Sequence, residues 1–211
     1  VTAAGPLLAL DTCLAACSAA LLREDGAVFA RSEVIGTGHS ERIAPMVEEL
    51  LAEAGVEAAA LTRIAATVGP GSFMGTRVGI SLAKGLALPR RLPTVPVSTL
   101  RGFALSAAGP ACVLIDARRG QAYVQRFGAG GAPLGGPELL PHAEAVKRVR
   151  SGARIVGTGL RAILAQEGAG DEMTAPDPER IARWAEAAPP APLRPLYLRP
   201  PDAKAPSRAP L

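Results

Sequence analysis

Leu7-Leu8-Ala9-Leu10-Asp11 and Val113-Leu114-Ile115-Asp116 are the stretches on which the fold turns, because each is a short apolar run closed by a carboxylate. The first is followed by a turn and a second apolar run, Cys17 to Leu22. The second turns at Arg118-Arg119-Gly120 and returns as Ala122-Tyr123-Val124-Gln125-Arg126-Phe127. Runs this short, bounded by turn residues, read as strands of a buried sheet. The same device used twice predicts two lobes on one plan.

Working outward from the first run, Ala27 to Val34 and Ile64 to Val68 read as further strands. Between them a helix is expected from about Ser40, whose hydroxyl would cap the first turn for about 1 kcal/mol. Ile43, Val47, Leu50, Leu51 and Ala54 fall at helical spacing, with Glu41, Glu48, Glu49 and Glu53 largely opposite, and Gly55 ends it. Pro45 is close enough to the start to bend the helix rather than break it. The segment Gly69 to Arg77 reads as a glycine-rich connection into a second helix reaching about Leu88. A strand, Pro93 to Val97, and a short helix, Thr99 to Ala107, close the first unit, so the lobes divide as 1–103 and 104–211. The second lobe continues with helix Ala143 to Arg150, strand Arg154 to Val156, and helices Leu160 to Glu167 and Pro178 to Ala188. The proline-rich tail beyond (Pro189, Pro190, Pro192, Pro195, Pro200, Pro201) runs extended, with Tyr197 and Leu198 as anchors.

Composition narrows the function classes. The 211 residues are 48% hydrophobic but only 3% aromatic, which disfavours a surface that stacks nucleic-acid bases. A net charge of +4 permits attraction to phosphate without demanding it. Cys13, Cys17 and Cys112 are odd in number and form no CxxC pair, so small reduced core residues are expected. No run approaches the roughly 18 apolar residues of a membrane span, and Val1 to Pro6 lacks the basic flank of a signal peptide, so the expected setting is cytoplasmic.

The second helix carries the clearest functional signal. Val78, Ile80, Leu82, Ala83, Leu86, Ala87 and Leu88 surround it almost completely, and such a helix must be covered on more than one side. Gly79, Ala83 and Ala87 add a stripe of small residues on which another helix can approach. Either the protein's own sheet and first helix supply all of that cover, or this helix and the first present an apolar patch to another protein; on the second reading the partner-facing surface is Val47, Leu50, Phe73, Val78, Gly79, Leu82, Ala83 and Leu86, with Ala83 the place to insert a disruptive charge.

Leu8-Ala9-Leu10-Asp11-Thr12, His39-Ser40-Glu41-Arg42, Gly69 to Ile80, Val97-Ser98-Thr99-Leu100, Asp116 to Tyr123 and Pro195-Leu196-Tyr197-Leu198-Arg199 together resemble the TsaB family, in order and over nearly the whole chain. That resemblance implies an actin-like (ASKHA, RNase H-like) α/β fold of two lobes, each a mixed sheet flanked by helices. It also implies a non-catalytic subunit that pairs with a related catalytic protein, TsaD, and an ATPase, TsaE. That assembly moves threonylcarbamoyl from threonylcarbamoyl-AMP to the adenosine just 3′ of a tRNA anticodon. Alone, the chain would form a homodimer through the same helices, meeting tRNA only indirectly and no membrane. Rival readings are an actin-like small-molecule kinase or ATPase, and a structural homodimer with no tRNA role.

Against the kinase reading, Asp11 and Thr12 are the only cofactor-binding candidates, and no glycine follows between Asp11 and Cys17 to let phosphate approach the backbone. Arg118 and Arg119 stand where paired glycines would be expected in the second lobe. In Gly69 to Arg77 no lysine precedes Thr76, so it is not a Walker loop. The HxxxH metal pair of the catalytic relative is missing, since Ile43 lies four residues after His39 and His142 is far away. No catalytic residue, no metal and no cofactor are expected for the isolated chain, with ATP or ADP only in the complex.

Overall fold

In the computed structural model, which describes residues 5–107, 109–149, 154–165 and 170–199, the two apolar runs are the central strands of two five-stranded sheets. The first sheet contains β1 (Leu7–Asp11), β2 (Ala16–Leu22), β3 (Val28–Val34), β4 (Arg63–Thr67) and β5 (Thr94–Val97), in the order β3-β2-β1-β4-β5. The second contains β6 (Ala111–Asp116), β7 (Gln121–Phe127), β8 (Glu138–Pro141), β9 (Arg154–Thr158) and β10 (Asp171–Glu172), in the order β10-β9-β6-β7-β8. The register repeats as well. Each central strand pairs antiparallel with its successor, Leu10 opposite Ala19 and Leu114 opposite Val124, and parallel with the fourth strand of its lobe, Leu8 beside Ile64 and Val113 beside Val156.

The connecting helices are α1 (His39–Ala54), α2 (Phe73–Ala87), α3 (Thr99–Ser106), α4 (His142–Arg148), α5 (Leu160–Leu164) and α6 (Pro178–Ala187). Three strands, helix, strand, helix, strand, helix, given twice, is the expected actin-like two-lobed architecture. None of these helices is long and apolar enough to cross a membrane.

Both core faces of the first sheet are apolar, so every residue of β1 and β2 is buried. On one face Leu8, Leu10 and Leu21 pack with Ile43, Leu50, Ile80 and Ala83 of α1 and α2. On the other, Leu7, Ala9, Ala20 and Val95 pack with Ile181, Ala182 and Ala185 of α6. The third helix of each half thus crosses over. α6 covers the first sheet, while Leu100 and Phe103 of α3 join Val113, Ile115 and Tyr123 of the second. A division by residue number at 103/104 cuts through α3 and separates α6 from the first sheet, on which it packs. Buried Arg63, at the start of β4, fixes α6 by donating to the carbonyls of Ala185 (2.9 Å) and Ala188 (2.7 Å). A cation at a helix C-terminus satisfies carbonyls left without intrahelical partners.

Several boundaries differ from the sequence reading for local reasons. α1 is capped by Gly38 in a left-handed conformation (φ 86°), not by Ser40, whose hydroxyl contacts Glu41 instead. α2 begins at Phe73 because the Ser72 hydroxyl accepts the Gly75 N–H (3.2 Å), so half of the expected loop is helix. The two short edge strands β8 and β10 carry no periodicity long enough to read. Arg150, Gln166 and Glu167, at the ends of two expected helices, and Pro200 and Pro201 lie outside the described residues.

Candidate functional site

In each lobe the carboxylate closing the central strand holds the turn that follows. Asp11 Oδ1 accepts the Cys13 N–H (3.2 Å), and Asp116 Oδ1 accepts the Arg118 N–H (2.8 Å), the same side-chain-to-backbone device two residues on. Around Asp11 the turn is then sealed. The Thr12 hydroxyl donates to the Gly75 carbonyl (2.7 Å) and accepts the Gly79 N–H (3.0 Å). A Cβ built on Gly71 would lie 2.3 Å from the Cys13 carbonyl oxygen, one on Gly75 2.1 Å from that of Thr12, and one on Gly79 2.6 Å from the Thr12 hydroxyl. Three glycines at four-residue spacing therefore bring the start of α2 into backbone contact with the turn after β1.

This bears on two readings. Asp11 and Thr12, the cofactor-binding candidates, are buried: Asp11 Oδ1 is held by the Cys13 amide and Thr67 and the Thr12 hydroxyl by Gly75 and Gly79, while Asp11 Oδ2 has no hydrogen-bond partner among the described residues. The small-residue stripe, with Gly79 and Ala83 at its centre, points inward at β1 and is not a surface for a second helix.

Burial pushes the Asp11 carboxyl above its ordinary range, against the opposing hydrogen bonds from Thr67 and the Cys13 amide. The folded chain therefore keeps this proton to higher pH than the unfolded chain does. Stability falls as pH rises through the ordinary carboxylate range, until the buried group itself ionises. Asp11→Asn, which cannot ionise, is expected to melt progressively higher than the parent as pH rises from about 4 towards 7, with the gap closing again in acid. Melting curves across that range check it.

Between the lobes lies a cleft of about 800 Å³. Its first-lobe wall is Cys13 to Ala15, Gly36 to Ser40 and Gly71 to Gly75, and its second-lobe wall includes Asp116 to Arg118, Tyr123, Thr158, Gly159 and Glu172. The second wall is closed to anions at one point, because the Glu172 carboxylate accepts the N–H groups of Gly159 (2.6 Å) and Leu160 (2.8 Å). The two histidines do not converge. His39 is the first residue of α1, whereas His142 lies in the second lobe, its Nε2 3.1 Å from the Gln121 carbonyl and 3.6 Å from Asp116. Among the described residues no three of His, Cys, Asp and Glu gather as a metal would require.

The outer face of α2 is different. Met74, Val78, Leu82 and Leu86 form a row at four-residue spacing on the flank beside the glycines, about 100° round the helix, and the last three pack partly against the core. Met74 is 66% exposed and Phe73 49%, and Val78, Leu82 and Leu86 are half-buried. A shallow groove of about 380 Å³ runs between this row and α1, lined by Ser40, Ile43, Ala44, Met74, Arg77, Val78, Ser81 and Leu82. Of the eight residues expected to face a partner, Phe73, Val78, Leu82 and Leu86 are on this surface. Val47, Leu50, Gly79 and Ala83 are not, since all four are enclosed in the core. Met74 was missed because its stretch read as loop, although its four-residue spacing from Val78 is visible. Tyr197, expected as an anchor of the tail, stacks on Phe73 at 5.4 Å between ring centroids.

Comparison with known proteins finds relatives across the chain. The family described as TsaD, tRNA N6-adenosine threonylcarbamoyltransferase, matches residues 32–154. The Escherichia coli tRNA threonylcarbamoyladenosine biosynthesis protein TsaB is 43% identical over 122 residues, 56% of this chain and 52% of that protein. The chain therefore matches about half the length of such curated relatives. The solved structure of YeaZ from Pseudomonas aeruginosa is 34% identical with a TM-score of 0.75, covering 86% of this chain and 90% of that one. An activator of the 2-hydroxyisocaproyl-CoA dehydratase from Clostridium difficile shares the fold alone, at 10% identity over 86% of this chain and 92% of that one, with a TM-score of 0.51.

Proposed function

The chain belongs to the TsaB (YeaZ-like) family, and from that premise we propose that it serves tRNA threonylcarbamoyladenosine biosynthesis as a non-catalytic subunit. Its task is to dock, through the outer face of α2 and the neighbouring α1, onto the catalytic protein TsaD, with the ATPase TsaE completing the assembly. Without TsaD the same face pairs with a second copy of the chain. One observation carries the reading: α2 uses its glycine face to fill the turn where an actin-like enzyme would hold phosphate, and leaves the apolar row from Met74 to Leu86 only partly covered. The helix that closes one kind of site thereby offers another. Any nucleotide the complex uses is supplied with groups from the partners, and tRNA is met through them.

Reconstitution tests this. TsaD and TsaE are mixed with a threonylcarbamoyl donor and tRNA, with and without the chain, and the modified adenosine is measured. Modification is expected only when the chain is present, and the chain alone is expected to turn nothing over. Equal modification without it would sink the proposal, as would turnover by the chain unaided. The kinase reading makes a separate demand, that the isolated chain bind ATP with magnesium, which calorimetry decides.

A further inference from the structure

After α6 the chain runs from one lobe to the other, and the two ends of this passage are held very differently. On the first lobe the hold is deep. The Ala191 N–H donates to the Thr94 carbonyl and the Thr94 hydroxyl to the Ala191 carbonyl, both at 2.8 Å. Leu193 is buried in the core beside α1 and α2, and the Leu196 N–H donates to the Val68 carbonyl (2.7 Å). Gly69 lets that segment approach, since a Cβ there would lie 2.9 Å from the Leu196 carbonyl oxygen. Tyr197 then packs on Phe73 and accepts the Arg77 Nε–H (3.1 Å).

Two residues further the chain is on the second lobe. Leu198 packs, partly buried, against the cluster around Val113, Ile115 and Tyr123. Arg199 Nη2 donates to the Ala117 carbonyl (2.9 Å) and to Gln121 Oε1 (2.8 Å), and lies 3.5 Å from the Arg118 carbonyl. The turn that receives it is strained, with Arg118 (φ 61°) and Arg119 (φ 56°) both left-handed. Arg199 and Arg118 also line the cleft.

We propose that residues 189–199 are a tie-bar that sets the opening of the interlobe cleft, anchored in the first lobe and latched to the second by Arg199 on the Ala117–Gln121 turn. All three acceptors are reached by one nitrogen, Nη2, at the end of a side chain one bond longer than that of lysine, so a lysine there has the donors but not the reach. Releasing it frees the second-lobe end and leaves the Leu193–Leu196 anchor in place. The inference does not depend on the docking role proposed for α2.

The full chain is labelled with nitroxides at Glu48→Cys on α1 and Lys147→Cys on α4, both exposed, while the native cysteines are buried. Pulsed electron resonance reads the interlobe distance distribution, and hydrogen exchange reads the amides of Ala117 and Gln121, which close the turn onto Gln121 and Arg118. Arg199→Ala is expected to broaden the distribution and to speed exchange at those two amides by about tenfold, with the Leu196 amide unchanged. Arg199→Lys should fall between. Arg199→Ala with the parent's distribution and turn exchange would overturn the proposal. So would acceleration of equal size in β1 and β6, which would make the residue a contributor to global stability only.

Discussion

Gly75→Ala should destabilise the chain by about 3 kcal/mol, although alanine is the better helix former. Propensity alone predicts a gain of about 1 kcal/mol for glycine to alanine inside a helix. Opposing it, the new methyl would sit 2.1 Å from the Thr12 carbonyl oxygen, a backbone atom that cannot swing aside. Relief requires α2 to back away from β1, which breaks the Thr12 hydroxyl's bonds to Gly75 and Gly79, worth about 1 kcal/mol each, and opens the packing around Ala83 and Ile80. Steric cost and lost bonds together outweigh propensity. Gly85→Ala is the internal control: it lies on the same helix, is exposed, and a Cβ there meets nothing within 4 Å. It should stabilise by about 0.8 kcal/mol. Denaturant titration of the two variants checks both signs. If both stabilise, the inward glycine contact is wrong.

If α2 docks as proposed, Leu82→Glu should weaken association with TsaD, or with a second copy of the chain, at least about a hundredfold while leaving the fold intact. Leu82 is half-buried in the monomer and lines the groove between α1 and α2. Its replacement costs the isolated chain about 1 kcal/mol, within the range of partly exposed positions. At a docked interface the same carboxylate is desolvated without a partner, a penalty of about 3 kcal/mol or more, hence at least about a hundredfold weaker binding. Titration calorimetry with TsaD, alongside a melting curve, separates the two effects. Binding within a few-fold of the parent would remove this face from the interface. Ala83→Glu cannot serve in its place, because Ala83 is fully buried against the sheet and a charge there unfolds the chain it was meant to probe.

That contrast shows what was legible in the sequence. Strand-ending Asp11 and Asp116 and the turns after them revealed a duplicated plan, because buried strands and turn residues are local signals. The duplication extends to strand order and to the hydrogen bond each carboxylate makes two residues on. The direction of the small-residue stripe was not legible. Spacing of four places Gly79, Ala83 and Ala87 on one face but does not say what that face meets, and a neighbouring strand and a foreign helix need the same small side chains. The clue lay upstream, where Gly71 and Gly75 continue the spacing past the expected start of the helix. Met74 was lost for the same reason, since a helix assigned too late hides the first residue of its outer row. The exchange of α3 and α6 between lobes is a long-range matter with no periodic trace.

That exchange governs how the protein is made. The inner face of the first sheet, Leu7, Ala9, Ala20, Leu22 and Val95, is closed by Ile181, Ala182 and Ala185. A ribosome releases the strands first and the helix that shields them about 85 residues later, a gap of roughly 4–17 seconds at about 5–20 residues per second. Throughout that interval the nascent first lobe carries a naked greasy sheet, a natural client for a holding chaperone. For the same reason a fragment cut after α3 should precipitate on expression rather than behave as an independent unit.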